Sequence, residues 1–303
     1  MAAIEVVQLS KTYGQVRAVD GISFSVEPTE VFGLVGPNGA GKTTTLEIIE
    51  GLRSPDGGTV LVGGLDMSRH AREAQERIGV QLQSTTLLDD LTVLETVGLF
   101  SSLFQRRVDT DSLIKEMALE DKKSSRVKNL SGGQKQRLAV ALALVNDPEI
   151  VFLDEPTTGL DPQARRNLWD TIDAVRRRGK TVVLTTHYME EAEVLCDRVG
   201  IMDQGRLIAL DTPRELVRSL DSGSMLELEA EGVDASELQR VDGVTRVQQE
   251  GNEYLLYTQD VQRALTSVLS LSESSGFAIK DLRVRSATLE DVFIALTGRR
   301  LRE

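Results

Sequence analysis

The chain has 303 residues, a net charge of −12 and an aromatic content of 4%. The acidic balance argues against a general nucleic-acid surface, which needs clustered basic residues, and the few aromatic side chains leave little for single strands to stack on. The sequence has no run of about 18 apolar residues, so we expect no transmembrane helix, and the lone Cys196 suits a reducing compartment.

The first 35 residues, and a short run around Val60, alternate apolar and polar side chains. This period of two predicts short strands, which we interpret as an antiparallel layer beside a main sheet. Residues 10–14 lie between two of these strands, are predicted to form a turn, and include Tyr13. The Tyr13 ring could pack at the turn or could form a flat face for an adenine, and spacing alone favours packing.

A glycine-rich loop follows a buried strand predicted at residues 31–35 and precedes a helix that Gly51 ends. Glycines let backbone N–H groups close around an anion, and the helix dipole adds positive potential there. We expect Lys42 to reach the β- and γ-phosphates of a nucleotide and the Thr43 hydroxyl to hold Mg²⁺. The loop matches G-x-x-x-x-G-K-[ST] in full, with the residues Gly36, Pro37, Asn38, Gly39, Ala40, Gly41, Lys42, Thr43 and Thr44.

Gln83 follows the carboxyl end of a strand predicted at residues 78–82. Ligands of α/β sheets bind at such strand ends, although by itself the residue is better explained as an ordinary surface glutamine. The next stretch, residues 88–128, is mostly helical by its apolar spacing and interrupts the α/β alternation. We interpret it as part of a helical insert.

The residues Leu-Ser-Gly-Gly-Gln open another predicted helix, beginning at Leu130. Ser131 and Gln134 fit the S-x-x-Q capping box. Glycine in a helix costs about 1 kcal/mol against alanine, so a plain capped helix does not explain Gly132 and Gly133 in the first turn. The two glycines therefore predict a second anion-binding helix start.

Residues 150–153 predict a buried strand that leads into Asp154 and Glu155. Carboxylates at such a strand end need a partner or a metal ion. We expect Asp154 to hold Mg²⁺ through water and Glu155 to orient or deprotonate an attacking water. Asp161 lies in a turn just before the next predicted helix, and local sequence favours a helix cap for it.

A third buried strand, predicted at residues 180–185, leads to His187. An isolated histidine is more often structural than functional. However, the phosphate loop, the Asp154–Glu155 pair and His187 all follow carboxyl ends of strands that we place in one parallel sheet. Their convergence predicts a ligand crevice.

The predicted domain boundary lies at residue 220, before a Ser-Gly-Ser linker at 222–224. The first domain, residues 1–220, is predicted to be α/β with a helical subdomain at about 88–147. Residues 221–303 predict strand, helix, two strands, helix and strand, which is a ferredoxin-like order. No catalytic constellation is visible there, and the arginines at 299, 300 and 302 favour a solvated tail over an anionic contact.

Together these motifs resemble the ATP-binding subunit of an ABC transporter over about residues 1–220. The loop at 36–44 matches the Walker A motif, residues 150–155 match Walker B with its catalytic glutamate, and residues 130–134 are the LSGGQ signature. The C-terminal piece, with Thr-Leu-Glu-Asp-Val-Phe at 288–293, resembles the ABC-2 subfamily of drug, lipid and polysaccharide exporters. The resemblance implies a P-loop NTPase core with an antiparallel layer, a helical insert and a small α+β domain.

The same resemblance implies roles for single positions. Tyr13 matches the A-loop, which turns its interpretation from packing toward adenine stacking, and Asp161 matches the D-loop. Gln83 matches the Q-loop, which senses the metal and links the site to the helical insert. His187 matches the switch histidine, which with Lys42, Thr43 and Mg²⁺ stabilises the transferring phosphoryl group.

The resemblance further implies that two such chains pair head to tail around two ATP molecules. Ser131, Gly132, Gly133 and Gln134 of one chain would complete the site of the other, so the expected partner is a second ATP-binding subunit, most simply an identical one. The chain would be the ATP-hydrolysing motor of an exporter, held at the cytoplasmic face of the membrane by a separate permease. No nucleic-acid partner is expected.

Two other classes remain as alternatives. A soluble ABC ATPase acting on ribosomes or DNA usually has two fused cassettes or long coiled-coil insertions, whereas this chain has one cassette, no heptad run and an acidic balance. A P-loop kinase would leave the signature at 130–134 unexplained. The sequence therefore favours the transporter motor.

Overall fold

Six strands form the central sheet of the N-terminal part of the chain, here described from a computed structural model of residues 1–83, 87–220 and 224–298. They are β3 (Val31–Val35), β6 (Ile78–Gln81), β7 (Ile150–Asp154), β8 (Thr181–Thr186), β9 (Arg198–Asp203) and β10 (Arg206–Asp211). The sheet order is β10-β9-β3-β8-β7-β6, with β10 antiparallel to β9 and every other pair parallel. The carboxyl ends of β3, β6, β7 and β8 therefore meet at one edge of the sheet.

A second, antiparallel sheet lies beside the first. It contains β1 (Ile4–Tyr13), β2 (Val16–Val26), β4 (Gly57–Val62) and β5 (Leu65–Asp66), in the order β2-β1-β4-β5. Phe24 of β2 stacks on Phe32 of β3 with ring centroids 5.1 Å apart, within the apolar core that the two sheets share. The predicted antiparallel layer is confirmed.

The turn predicted at residues 10–14 is largely wrong. Strand β1 continues through Ser10 to Tyr13, where Tyr13 pairs with Val16, and the chain reverses at Gly14 with φ +59°. Register shifts after Val6 and Leu9 break the simple alternation. A polar, irregular strand end therefore has the composition of a turn.

Eight helices accompany the two sheets in the described residues up to 220: α1 (Lys42–Ile49), α2 (Met67–Gln75), α3 (Val93–Ser101), α4 (Thr110–Glu116), α5 (Gly132–Leu144), α6 (Pro162–Arg177), α7 (Met189–Leu195) and α8 (Pro213–Arg218). Helices α3 and α4 pack on each other and on α5, which forms the predicted helical insert. The insert is less continuous than its apolar spacing predicted, because 3₁₀ turns at Glu120–Lys122 and Val127–Asn129 replace regular helix before α5.

The C-terminal part of the chain has its own sheet. Its elements are β11 (Ser224–Glu231), α9 (Ala235–Leu238), β12 (Val244–Glu250), β13 (Glu253–Thr258), α10 (Val261–Ser275), β14 (Ala278–Ser286) and α11 (Leu289–Thr297). The strands are antiparallel in the order β12-β13-β11-β14. This confirms the predicted ferredoxin-like order, and Leu226, Leu256 and Val268 belong to an apolar core within this part.

The chain divides into two compact units between Pro213 and Arg214, at the start of α8. The sequence placed the boundary after that helix, at residue 220. Residues 221–223 of the predicted linker, and the arginines at 299, 300 and 302, lie outside the described residues. In the part of the chain that the structure describes, no helix has both the length and the apolar character to cross a membrane.

Candidate nucleotide site

The loop after β3 folds the Lys42 side chain back onto its own backbone. Lys42 Nζ donates to the carbonyl oxygens of Gly36 at 2.8 Å and Pro37 at 3.1 Å, and the side chain is buried. Burial lowers the pKa of Lys42 from its usual value, against the opposing charges of Glu155 and Asp154. The ammonium therefore lies inside the loop, where it can meet a phosphate.

Two glycines of the loop are required by close packing and by conformation. Gly36 has φ +154° and Gly41 has φ +102°. A Cβ on Gly36 would lie 2.2 Å from the Met202 carbonyl oxygen, and one on Gly41 would lie 2.2 Å from the Ala18 carbonyl oxygen. Gly41 is also the N-cap of α1 and gives its first N–H groups no side-chain cap. The free N–H groups of such a helix start suit an anion.

Asp154 ends β7 and is buried at the carboxyl edge of the sheet. Its Oδ1 accepts a short hydrogen bond from Thr185 Oγ1 and a longer one, 3.4 Å, from Thr43 Oγ1. Burial raises the pKa of the Asp154 carboxyl, although these two hydroxyl groups oppose the change. The fold thus brings Thr43 and Asp154 together, as two residues predicted to hold Mg²⁺. The contact of Thr185 with Asp154 was not predicted from the sequence.

The Glu155 carboxylate is the meeting point of the predicted residues. Its Oε1 lies 3.7 Å from Lys42 Nζ and 3.4 Å from His187 Nδ1. Its Oε2 accepts hydrogen bonds from Gln83 Nε2 at 3.2 Å and from Thr158 Oγ1 at 3.1 Å. Side chains from three strand ends and from the phosphate loop therefore converge on one carboxylate.

Electrostatics and backbone geometry both set Glu155 apart. Burial would raise the pKa of its carboxyl, but the positive charge of Lys42 and the neighbouring His187 outweigh burial and lower it. The residue has φ +46°, a left-handed conformation that is costly for a non-glycine residue. Its N–H donates to Thr185 Oγ1 at 2.9 Å, which holds the turn in place. Glu155 is therefore ionised at neutral pH and fixed in position.

His187 Nδ1 is buried and makes no hydrogen bond among the described residues, despite its closeness to Glu155. The His187 ring packs against Tyr188, with centroids 4.1 Å apart. The His187 ring therefore faces the Glu155 carboxylate.

The signature residues at 130–134 lie at a cavity separate from the contacts around Glu155. Ser131 N–H donates to Gln134 Oε1 at 2.9 Å and Gln134 N–H donates to Ser131 Oγ at 3.3 Å, which confirms the predicted capping box. Asp161 Oδ1 accepts from the Ala164 N–H at 2.8 Å, so the predicted cap of α6 is confirmed too. Ser131, Gln134 and Asp161 line a cavity of about 300 Å³ with Arg137 and Asn167. No residue of the loop at 36–44 lines this cavity.

The two signature glycines have different surroundings. A Cβ on Gly133 would lie 3.0 Å from the Ala164 Cβ, so packing against α6 explains that glycine within the chain. A Cβ on Gly132 would meet nothing closer than 4.0 Å, and the residue is exposed. The expectation that neither glycine has a structural explanation is therefore wrong for Gly133. It remains for Gly132.

Tyr13 projects from the end of β1 and is 40% exposed. Two cations lie near its ring, with Lys11 Nζ 5.7 Å and Arg53 Cζ 5.5 Å from the centroid. Glu47 of α1 accepts hydrogen bonds from the Arg53 guanidinium, so Arg53 is held beside the ring. The tyrosine is not part of the apolar core and leaves ring surface accessible.

Comparisons with known proteins identify the family of this chain. Residues 19–158 match the family model described as ABC transporter, and residues 212–297 match the model of the ATP-binding protein DrrA1-3-like C-terminal domain. A Nod factor export ATP-binding protein I from Paraburkholderia xenovorans (strain LB400) is 42% identical over 309 residues, covering 100% of this chain and 99% of that protein. The chain belongs to the ATP-binding subunits of ABC transporters.

Solved ABC cassettes share the fold of the first unit. The structure of an ATP-binding subunit of an ABC transporter is 28% identical, with a TM-score of 0.64, and covers 72% of this chain and 93% of its own. A dimeric post-hydrolysis structure of the ATP-binding cassette MJ0796 with ADP and phosphate is 27% identical, with a TM-score of 0.63, and covers 69% and 98%. The chain is therefore an ATPase of the DrrA-like, ABC-2 type, with a P-loop NTPase core.

The ABC subunit offers oxygen ligands suited to Mg²⁺. Thr43 Oγ1 and the Asp154 carboxylate lie together, and the Gln83 side chain reaches the adjacent Glu155. No group of three His, Cys, Asp or Glu residues forms a metal cluster in the described ranges. Mg²⁺ usually binds one or two protein oxygen ligands together with waters and substrate phosphates, so the residues present fit this ion.

Proposed function

We propose that this ATPase subunit binds Mg²⁺-ATP on the loop at residues 36–44 and hydrolyses it with Glu155 acting on the attacking water. The observation that supports this most directly is the position of the Glu155 carboxylate, 3.7 Å from Lys42 Nζ and 3.4 Å from His187 Nδ1. A proton acceptor thus lies beside Lys42 and His187, the two side chains that would meet the transferred phosphate.

Each residue has a defined task in this proposal. Glu155, ionised because of its lowered pKa, accepts a proton from water. Lys42 neutralises charge on the phosphoryl oxygens, His187 donates a hydrogen bond to one of them, and the N–H groups at the start of α1 hold the phosphates. Bound Mg²⁺, held by Thr43 and by Asp154 through water, would add further charge neutralisation. Tyr13 provides the accessible ring on which adenine stacks.

We further propose that a second ATP-binding subunit completes the site. Gly132 is exposed and has no close neighbour that requires a glycine, so a ligand outside this chain accounts for it best. The start of α5 has its capping box, and the backbone at Gly132 is exposed beside it. An exposed helix start of this kind suits a phosphate held by the other chain. Asp161 lines the same cavity and belongs to the same proposed interface.

The proposed task of the pair is export through a separate permease at the cytoplasmic face of the membrane. The relative from Paraburkholderia xenovorans is named for Nod factor export. Leu94, Leu99 and Leu103 expose apolar surface in and just after α3 of the helical insert, and Gln83 precedes that insert in the chain. We propose this surface as the contact with the permease and the unit from residue 214 as an accessory or dimerisation domain. A soluble ATPase acting on a macromolecular partner is the second candidate.

The decisive variant is Glu155→Gln, which keeps size and most hydrogen bonds but removes the proton acceptor. General-base catalysis contributes about 10²–10⁴-fold, so we expect kcat to fall at least about a hundredfold. ATP affinity, measured with a fluorescent analogue, should stay within about twofold, and ATP should trap a dimer on gel filtration. Glu190→Gln, at an exposed position of α7, is the control. Turnover near that of the wild type in Glu155→Gln would remove Glu155 from this role.

For the permease, membrane fractions should retain the full chain only when the permease is co-expressed.

A further inference from the structure

A buried glutamate that no motif includes connects the parts of the proposed site. Glu191 lies in α7, three residues after the N-cap Tyr188, and its exposed fraction is 0%. Its Oε2 accepts a hydrogen bond from Thr157 Oγ1 and its Oε1 accepts one from Trp169 Nε1, both at 3.1 Å. Burial raises the pKa of this carboxyl above its usual value. An unpaired carboxyl in such a place would be costly, so these donors have a specific use.

The three elements joined by Glu191 each hold a different part of the site. Thr157 follows Glu155 by two residues, in the turn that Glu155 enters with φ +46°. Trp169 lies on α6, the helix that Asp161 caps. Glu191 itself follows His187 by four residues, so its anchoring fixes the start of α7 behind that histidine.

The geometry points to Glu191 as a positioning residue for ATP hydrolysis, one that sets the distance between His187 and the Glu155 carboxylate and couples both to α6. It touches neither of them and acts through Thr157 and through its own helix. Two contacts support this coupling. Tyr188 N–H donates to Thr186 Oγ1 at 2.9 Å, and the Arg165 guanidinium of α6 lies 4.1 Å from the centre of the Tyr188 ring. The inference rests on the proposed roles of Glu155 and His187.

The position of the network explains why its loss should affect the rate and spare binding. None of Glu191, Thr157 and Trp169 belongs to the loop at 36–44 or contacts Lys42 through a hydrogen bond in the described part of the chain. A displaced Glu155 or His187, however, changes only the geometry of the reacting groups. Misplacement of reacting groups by about 1 Å can cost about a hundredfold in rate.

The test compares Glu191→Leu, which removes both acceptors at similar volume, with Glu191→Gln. The glutamine oxygen can accept from Trp169 Nε1 and its amide can donate to Thr157 Oγ1, so this variant should restore the network. We expect kcat to fall about tenfold in Glu191→Leu and to stay within about twofold in Glu191→Gln, with nucleotide affinity unchanged in both. If Glu191→Leu does not fold, Thr157→Val removes one donor of the same network and should show the same loss of kcat.

Two controls separate positioning from simple stability. Glu190→Gln, on the exposed neighbour in the same helix, should leave kcat unchanged. In a His187→Ala background, Glu191→Leu should lower the single-turnover rate by clearly less than the tenfold loss expected in the otherwise wild-type chain, because part of its effect runs through that histidine. A lowered melting temperature with kcat within twofold of the wild type in both Glu191→Leu and Thr157→Val would overturn the inference.

Glu155→Gln, measured in the same assay, distinguishes failure of the positioning role of Glu191 from failure of the proposed catalytic site. If Glu155→Gln is inactive and Glu191→Leu has normal kcat, only the positioning role fails. If Glu155→Gln retains normal turnover, the proposed site fails and the role of Glu191 fails with it.

Discussion

Glu50 has a buried carboxyl group whose replacement should stabilise the first unit at neutral pH. It follows the last turn of α1, is 2% exposed, and its Oε1 has no hydrogen-bond partner among the described residues. Burial, with the nearby carboxylates Asp154 and Glu47, raises the pKa of Glu50 from 4.5 to about 8. The folded protein therefore keeps this carboxyl protonated at pH 7, whereas the unfolded chain releases the proton.

The sign of the pH dependence follows from that difference. Where the folded state holds a proton that the unfolded state releases, the free energy of unfolding decreases as pH rises. The stability linked to Glu50 is complete below pH 4.5 and is lost progressively up to about pH 8. One pH unit inside this window is worth about 1.36 kcal/mol, so the step from pH 5 to pH 7 costs up to about 2.7 kcal/mol.

Glu50→Gln should abolish this loss, because glutamine keeps the shape without a titrating proton. Urea unfolding without nucleotide, at pH 5, 6 and 7, measures the effect, and the fluorescence of Trp169 reports on the first unit, since it is the one tryptophan of the chain. The gain of Glu50→Gln over the wild type should grow by about 2 kcal/mol from pH 5 to pH 7. Glu190→Gln is the exposed control. If the free energy of unfolding changed with pH equally in the wild type and in Glu50→Gln, the proposed role of Glu50 would be refuted.

Two further variants test separate features. Ser131→Arg removes a cap worth about 1 kcal/mol but fills the exposed signature surface, so ATP affinity should persist while the ATP-dependent dimer of a Glu155→Gln background disappears on gel filtration. A dimer that survives, with only the melting temperature lowered, would leave capping as the whole explanation. In the C-terminal unit, Asp291 is buried and binds Arg285 at 2.5 and 2.8 Å. Asp291→Ala should lower the free energy of unfolding by about 3 kcal/mol, and a loss below about 1 kcal/mol in urea unfolding would contradict the importance of this pair.

Much of the fold and the central cluster could be predicted because their signals are local. A glycine pattern specifies the phosphate loop, and carboxylates after a buried strand specify Asp154 and Glu155. The parallel sheet then brings separate strand ends to one edge, so the convergence of Lys42, Glu155 and His187 followed from topology. The capping roles of Ser131 and Asp161 are local in the same sense.

The rest depended on contacts between distant segments. Glu191 receives its hydrogen bonds from residues 34 and 22 positions earlier, and next to Glu190 it has the sequence of an exposed helix. Gly132 and Gly133 are identical neighbours in the sequence, and only the packing of Ala164 distinguishes them. No periodicity contains that information.

The hold that the phosphate loop has on Lys42 has a consequence for substrate entry. Lys42 Nζ already donates hydrogen bonds to the Gly36 and Pro37 carbonyl oxygens. An arriving phosphate would therefore compete with these two carbonyl groups for the ammonium. In the proposed site, nucleotide binding would therefore exchange one set of hydrogen-bond partners of Lys42 for another, on a loop that already has its conformation. Affinity then reflects the difference between two sets of contacts, and little conformational entropy remains to be lost.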